Sequence, residues 1–271
     1  MIIAEDTPSA KDWCFIIGWG RTGTTIMAEI ISAHSKAKIF SEAWLWGYVD
    51  LLTIPTLEIC TPQSPMYRQM EYYQAEMPSN VGTKMDNFVL ADNQPYTYNN
   101  ETLIKENCWG SNQIRTIMDG FKLALPPSKC TMFGDKHWYY RYILEDLLKV
   151  FPECKLILTT RNKWDLAASS FDSSAFSARR SDLSREELAA VALERANQQC
   201  VDDNHLKNSG LNIYTVAFED MAQNAEKTIK STLEYLELKE QGEFNWNILN
   251  KIHYGEAMGH WEKIPELVAL R

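Results

Sequence analysis

No run of about 18 apolar residues occurs in this 271-residue chain, so no segment of it is long enough to cross a bilayer as a helix. No pair of its six cysteines (Cys14, Cys60, Cys108, Cys130, Cys154, Cys200) has CxxC spacing, and none joins a Cys/His cluster at metal-ligand spacing. Free thiols in a reducing compartment are therefore expected. The opening stretch, MIIAEDTPSAKDW, lacks the apolar core of a secretion signal, and a cytoplasmic location is expected. Positive charge is also in short supply. With 27 Lys and Arg against 36 Asp and Glu, the net charge of -9 argues against general nucleic-acid binding, which needs a broad basic footprint. A local positive pocket for a small anion is still allowed. The partner expected is a small molecule, with no nucleic acid and no membrane, and nothing in the sequence fixes the oligomeric state.

Hydrophobic residues make up 45% of the chain, enough for a full core, and a single domain over 1–271 is expected. The apolar run at about 13–18 reads as a buried strand, followed by the glycine loop GWGRTGTT and a helix at about 23–34 with Ile26, Ile30 and Ile31 at helical spacing. Ala37 to Phe40 reads as a second strand that ends in Ser41-Glu42. A polar tract from about 43 to 130, dotted with aromatics and broken by seven prolines, reads as an insertion and not as part of the sheet. Regular pattern resumes with a helix at 139–151, a strand at 155–160, helices at about 164–172 and 184–208, a strand at 212–218 and a helix at 222–237. Strands alternating with helices imply an α/β fold, a central, mostly parallel sheet covered on both faces, with ligands at the carboxyl ends of its strands.

In Gly18-Trp19-Gly20-Arg21-Thr22-Gly23-Thr24-Thr25 the glycines permit a tight turn, and the following helix contributes its positive end to an anion. The spacing matches the front of the triphosphate loop GxxxxGK[ST], but Thr24 stands where that loop needs lysine. The cation has moved to Arg21, whose fork can hold phosphate oxygens bidentately. A second anion segment is KLILTTRNKWDLAASSF, residues 155–171, in which a strand delivers Arg161 and a helix brings back Ser169 eight residues later.

Arg21-Thr22-Gly23-Thr24-Thr25 resembles the 5'-phosphosulfate loop, [KR]-[ST]-G-[ST]-[ST], of the sulfotransferases that use 3'-phosphoadenosine 5'-phosphosulfate (PAPS). Arg161, Asn162, Asp165 and Ser169 are similar to that family's 3'-phosphate motif, R-[ND]-P-x-D-x-x-x-S, with Lys163 in place of the proline. The resemblance implies a three-layer, P-loop-like fold and sulfuryl transfer from PAPS, leaving adenosine 3',5'-bisphosphate (PAP). It implies that Arg21, Thr22, Gly23, Thr24 and Thr25 hold the 5'-phosphate, that Arg161 and Ser169 hold the 3'-phosphate, and that Phe218, in VAFEDM, lies beside the adenine. Gly259-His260-Trp261-Glu262-Lys263 resembles the family's closing loop, G-x-W-[KR], with His260 and Glu262 at positions that are often basic.

For catalysis the resemblance implies a cation at the bridging oxygen, Arg21 or Lys136, the latter in a segment similar to G-[DE]-K-[TS]. The base is Glu42, at the end of the second strand, or His137, which directly follows Lys136. No metal is expected. The aromatics and acids of the insertion suit a compact ring-bearing or cationic acceptor, such as a secondary metabolite of the guanidinium alkaloid type exemplified by saxitoxin. A small-molecule kinase with a degenerate phosphate loop and a non-catalytic nucleotide-binding protein are the alternatives.

Overall fold

A computed structural model describes residues 12–41, 130–178, 180–239, 241–251 and 258–271. Residues 42–129, which include Glu42 and nearly all of the expected insertion, lie outside them. Strand β1 (Trp13–Ile16) is buried along its whole length, as a strand covered on both faces must be. Helix α1 (Thr24–Ser32) buries Met27, Ile30 and Ile31, one stripe at helical spacing, and each such burial stabilises by roughly 1.5–3 kcal/mol. Then come β2 (Ala37–Ser41), β3 (Met132–Lys136), a 3-10 turn (Trp138–Arg141), α2 (Leu144–Val150), β4 (Lys155–Thr160) and α3 (Lys163–Phe171). The chain continues through α4 (Ser174–Ala178), α5 (Arg185–Lys207), β5 (Ile213–Ala217), α6 (Phe218–Gln223) and α7 (Ala225–Tyr235), and ends in 3-10 turns at Trp246–Lys251 and His260–Lys263 and helix α8 (Pro265–Val268).

The five strands form one sheet in the order β2-β3-β1-β4-β5. Every pairing in it is parallel, so the fold is the α/β, P-loop-like class with a sheet flanked by helices. Alternation along β1 sorts its side chains between two layers. Trp13 and Phe15 meet the rings of Phe151 and Tyr140 at centroid distances of 5.3 and 4.8 Å. Cys14 and Ile16 share a core with Met27, Ile30 and Ile31 of α1 and Ile229 and Leu233 of α7. A separate core joins Leu166 to Phe171 of α3 with Leu188, Ala189, Ala192 and Ala196 of α5.

From β1 the chain crosses to β2 on one side, whereas from β4 it crosses to β5 on the other. Right-handed crossovers then put α1 and α3 on opposite faces. Neighbouring strands β1 and β4 thus flank the point where the winding reverses, the place where open α/β sheets bind ligands. The loops that leave those two strands are the two anion segments.

Most expected elements are present with ends shifted by two residues or fewer, and the Ser184/Glu187 capping box closes the start of α5. Three differ. Strand β3 was not anticipated, because Met-Phe-Gly-Asp-Lys carries no strand pattern, yet it is buried throughout. Its Gly134 is required by close approach: a Cβ there would lie 1.9 Å from the Cys14 carbonyl oxygen. The helix expected over 139–151 begins only at Leu144, since the Tyr140 hydroxyl donates to Asp135 Oδ2 at 2.9 Å and holds the chain back in a 3-10 turn. The helix expected from 222 starts instead at Phe218 and is broken at Asn224, the residue between α6 and α7.

Candidate active site

The GWGRTGTT loop starts where β1 runs out of apolar residues. Gly23 is the N-cap of α1 at φ 89°, and a Cβ there would also sit 2.9 Å from the Phe218 ring. Arg21 adopts φ 72°, a left-handed conformation that costs an L-residue roughly 1–2 kcal/mol. That turn aims its side chain across the switch point: Arg21 Nε donates to Ser169 Oγ at 3.0 Å and to the Ser169 carbonyl at 3.2 Å. In return, Arg161 Nη1 donates to the Arg21 carbonyl at 3.1 Å. Residues 148 apart in sequence thereby belong to one site.

The three threonines of the loop divide by exposure. Thr25 is exposed, whereas Thr22 and Thr24 are buried. Thr22 turns its hydroxyl inward, donating to the Trp19 carbonyl at 2.6 Å and sharing a 2.8 Å bond with Thr159 Oγ1. Its side chain shapes the turn instead of facing an anion. No side chain caps α1 and its first turn carries no acid, so the amides of that turn remain available to a negative ligand.

Arg161 leaves the end of β4 almost fully buried, with its guanidinium 4.4 Å above the Phe218 ring. Burial lowers its pKa, Asp165 and Glu219 oppose that shift, and Arg21 reinforces it. Two guanidinium groups drawn this close gain from an anion between them. Phe218, expected beside the adenine, is itself buried beneath Arg161 and against Gly23, so it supports both anion segments from below. Asn162 caps α3 by accepting from the Asp165 amide at 2.9 Å. Its own amide and Nδ2 donate to Glu219 Oε1 at 2.9 and 2.8 Å. Sequence reasoning missed Glu219 and Thr159 as supports. Glu219 was legible as the acid of VAFEDM, whereas nothing marked Thr159.

Lys136 is the last residue of β3, buried, and in register with Ile16 of β1 and Ser41 of β2. Ser41 is the residue before Glu42; Glu42 itself lies outside the described residues. His137 is buried too, with its ring 5.4 Å from that of Trp138. Desolvation, helped by the Lys136 charge, lowers its pKa from 6.5 to about 3, so the imidazole is neutral at physiological pH. The 259–263 segment packs on α3, where Trp261 meets Trp164 at 5.3 Å and His260 bonds to Asp172. Among the described residues no three His, Cys, Asp or Glu side chains are grouped to hold a metal ion, and no helix is long and apolar enough to cross a membrane.

The model of the sulfotransferase family matches residues 14–242, and the chain belongs to that family. Solved structures similar to it include the sulfotransferase domain of the olefin synthase of Synechococcus PCC 7002, at 16% identity over 95% of this chain and 92% of that one, with a TM-score of 0.49. Sulfotransferase STF9 from Mycobacterium avium is 14% identical over 91% of this chain and 69% of that one, with a TM-score of 0.44. The sulfotransferase domain from the curacin biosynthetic pathway is 13% identical over 87% and 76%, with a TM-score of 0.46. No curated protein matches the chain.

Proposed function

We propose that this sulfotransferase takes its sulfuryl group from PAPS and passes it to a hydroxyl or amine of a small-molecule acceptor. The observation that carries the reading is the meeting of Arg21, Ser169 and Arg161 at the switch point, which makes one site of the two anion segments. A donor phosphorylated at both ends of its adenosine fits it. The α1 amides, Gly23, Thr24 and Thr25 take the 5' side, Thr22 keeps the turn in shape, and Arg161 with Ser169 takes the 3'-phosphate. The residues present fit the group: one segment offers an uncapped helix start, the other a buried guanidinium.

In-line sulfuryl transfer demands positioning and stabilisation of charge spreading onto the leaving oxygen. Arg21 and Lys136 supply that charge. Glu42, one residue beyond the Lys136-paired end of β2, takes the acceptor proton. His137 is the weaker candidate, because a group with a pKa near 3 has little affinity for a proton at neutral pH. Its place beside Lys136 suits the lining of the acceptor pocket. The acceptor class is a compact ring-bearing or cationic metabolite, and the guanidinium alkaloids are one such group. The aromatics and acids of the sequence at about 43–130 suit such an acceptor, and the chain works as a single domain in the cytoplasm.

Two measurements test the reading. PAP at about 100 times its dissociation constant stabilises the protein by about 2.7 kcal/mol, whereas ATP with magnesium gives no such gain. The reverse pattern supports a kinase with a degenerate loop instead. Single-turnover transfer from labelled PAPS in the presence of EDTA separates an enzyme from a nucleotide-binding protein, and activity lost on chelation but restored by magnesium contradicts the mechanism. Glu42→Gln lowers turnover by about 10²–10⁴-fold with PAP affinity unchanged. Retained turnover transfers the role to His137.

A further inference from the structure

Trp19, the central residue of the GWG turn, fixes that turn through its backbone: its carbonyl accepts both the amide of Thr22, at 3.4 Å, and the Thr22 hydroxyl. Its ring is held by three side chains. The Arg141 guanidinium lies 4.1 Å from its centroid, Trp138 stacks on it at 6.3 Å and 10°, and Tyr142 meets it edge-on at 5.9 Å. Arg141 is anchored in turn by α5, where its Nη2 donates to Asp203 Oδ1 at 2.9 Å, both side chains being buried. Trp138 stands two residues after Lys136. One line of contacts therefore runs from α5 to the loop that presents Arg21 and to the strand end that carries Lys136.

A buried ion pair is weak evidence for stability, because desolvating two charges offsets their attraction. Here the pair and the indole it meets are also incompletely satisfied: among the described residues, Arg141 Nη1, Asp203 Oδ2 and Trp19 Nε1 are buried without a hydrogen-bond partner. Well-packed apolar side chains in place of a buried ion pair often cost no stability. They cannot supply direction, which a planar guanidinium held by a carboxylate and laid on an indole does.

We propose that Asp203 and Arg141 are positioning residues that act through the Trp19 ring, holding the phosphate loop in the register where Arg21 reaches Ser169 and aligning it with the end of β3. The inference rests on the sulfotransferase reading for what the loop holds, while the clamp itself is read without a ligand. The variants are Asp203→Asn, which weakens the anchor, and Arg141→Lys, which keeps the charge but loses the plane and serves if the first does not fold. In the ligand-free protein, amide exchange of residues 18–25 rises at least tenfold in either variant, with exchange in β4 and α7 unchanged. PAP affinity falls about tenfold in Asp203→Asn, but less than twofold when the same change is made on an Arg21→Ala background, since the clamp works through that loop. Unchanged loop exchange, an equal rise in β4 and α7, or the same loss of affinity on both backgrounds overturns the proposal. A wild-type protein that binds no PAP contradicts the donor reading instead, and loop exchange still decides the clamp.

Discussion

The two anion segments solve the same problem in opposite ways. The loop after β1 is built on glycines, accepts a left-handed arginine and leaves the start of α1 without a side-chain cap or an acid in its first turn. The loop after β4 has no glycine; Asn162 caps α3, Asp165 sits in its first turn, and Glu219 takes the Asn162 amide. On the proposed reading, backbone and helix dipole bind the anion at the first segment. At the second those groups are already engaged and two carboxylates stand close by, so the same reading assigns binding to the Arg161 side chain and Ser169. The lesson is that motif matches of similar quality imply different chemistry. One segment offers an anion what its backbone is free to do, the other a buried guanidinium beside a serine.

Substitutions can break that comparison. The largest effect is expected for Arg161→Ala: loss of a charge-assisted contact worth about 1.5–3 kcal/mol weakens PAP binding by about 10–100-fold in a calorimetric titration. Gly23→Ala should cost about 1–2 kcal/mol of stability in urea unfolding, because a Cβ at φ 89° is strained and also meets Phe218, and PAP affinity should fall with it as the α1 amides shift. Asn162→Ala removes a cap, lowering stability by about 1 kcal/mol while leaving PAP affinity within about twofold. A large loss of affinity there would place the second anion on the helix start after all. A separate effect, on stability and not on affinity, concerns pH. His137 titrates near 3 in the folded protein and near 6.5 when unfolded, so the stability present above pH 6.5 is lost as pH falls through that window. The slope approaches about 1.4 kcal/mol per pH unit for one proton, and His137→Gln should flatten it.

The sequence carried both anion segments because each is local: a strand, a turn and a helix within a dozen or so residues. It also carried the parallel sheet, through alternation of strands and helices. What it hid was determined by contacts across the fold. Strand β3 is a strand because its place between β1 and β2 buries it and requires Gly134, not because Met-Phe-Gly-Asp-Lys favours extension. Phe218 reads as a strand end, yet it opens a helix and lies beneath Arg161. The depressed pKa of His137 comes from burial that no local pattern announces. Trp19 occupies a variable position of its motif, so its link to Arg141 and Asp203 emerges only when the 3-10 turn and α5 are brought together.

The central claim is that one site reads phosphate at both ends of an adenosine. Titration of PAP and of adenosine 5'-monophosphate into the wild-type protein and Arg161→Ala tests it most directly. The account predicts at least tenfold tighter binding of PAP to the wild type, with that preference all but erased in the variant. Equal affinity of the wild type for the two nucleotides, or a preference that survives the loss of Arg161, would contradict it.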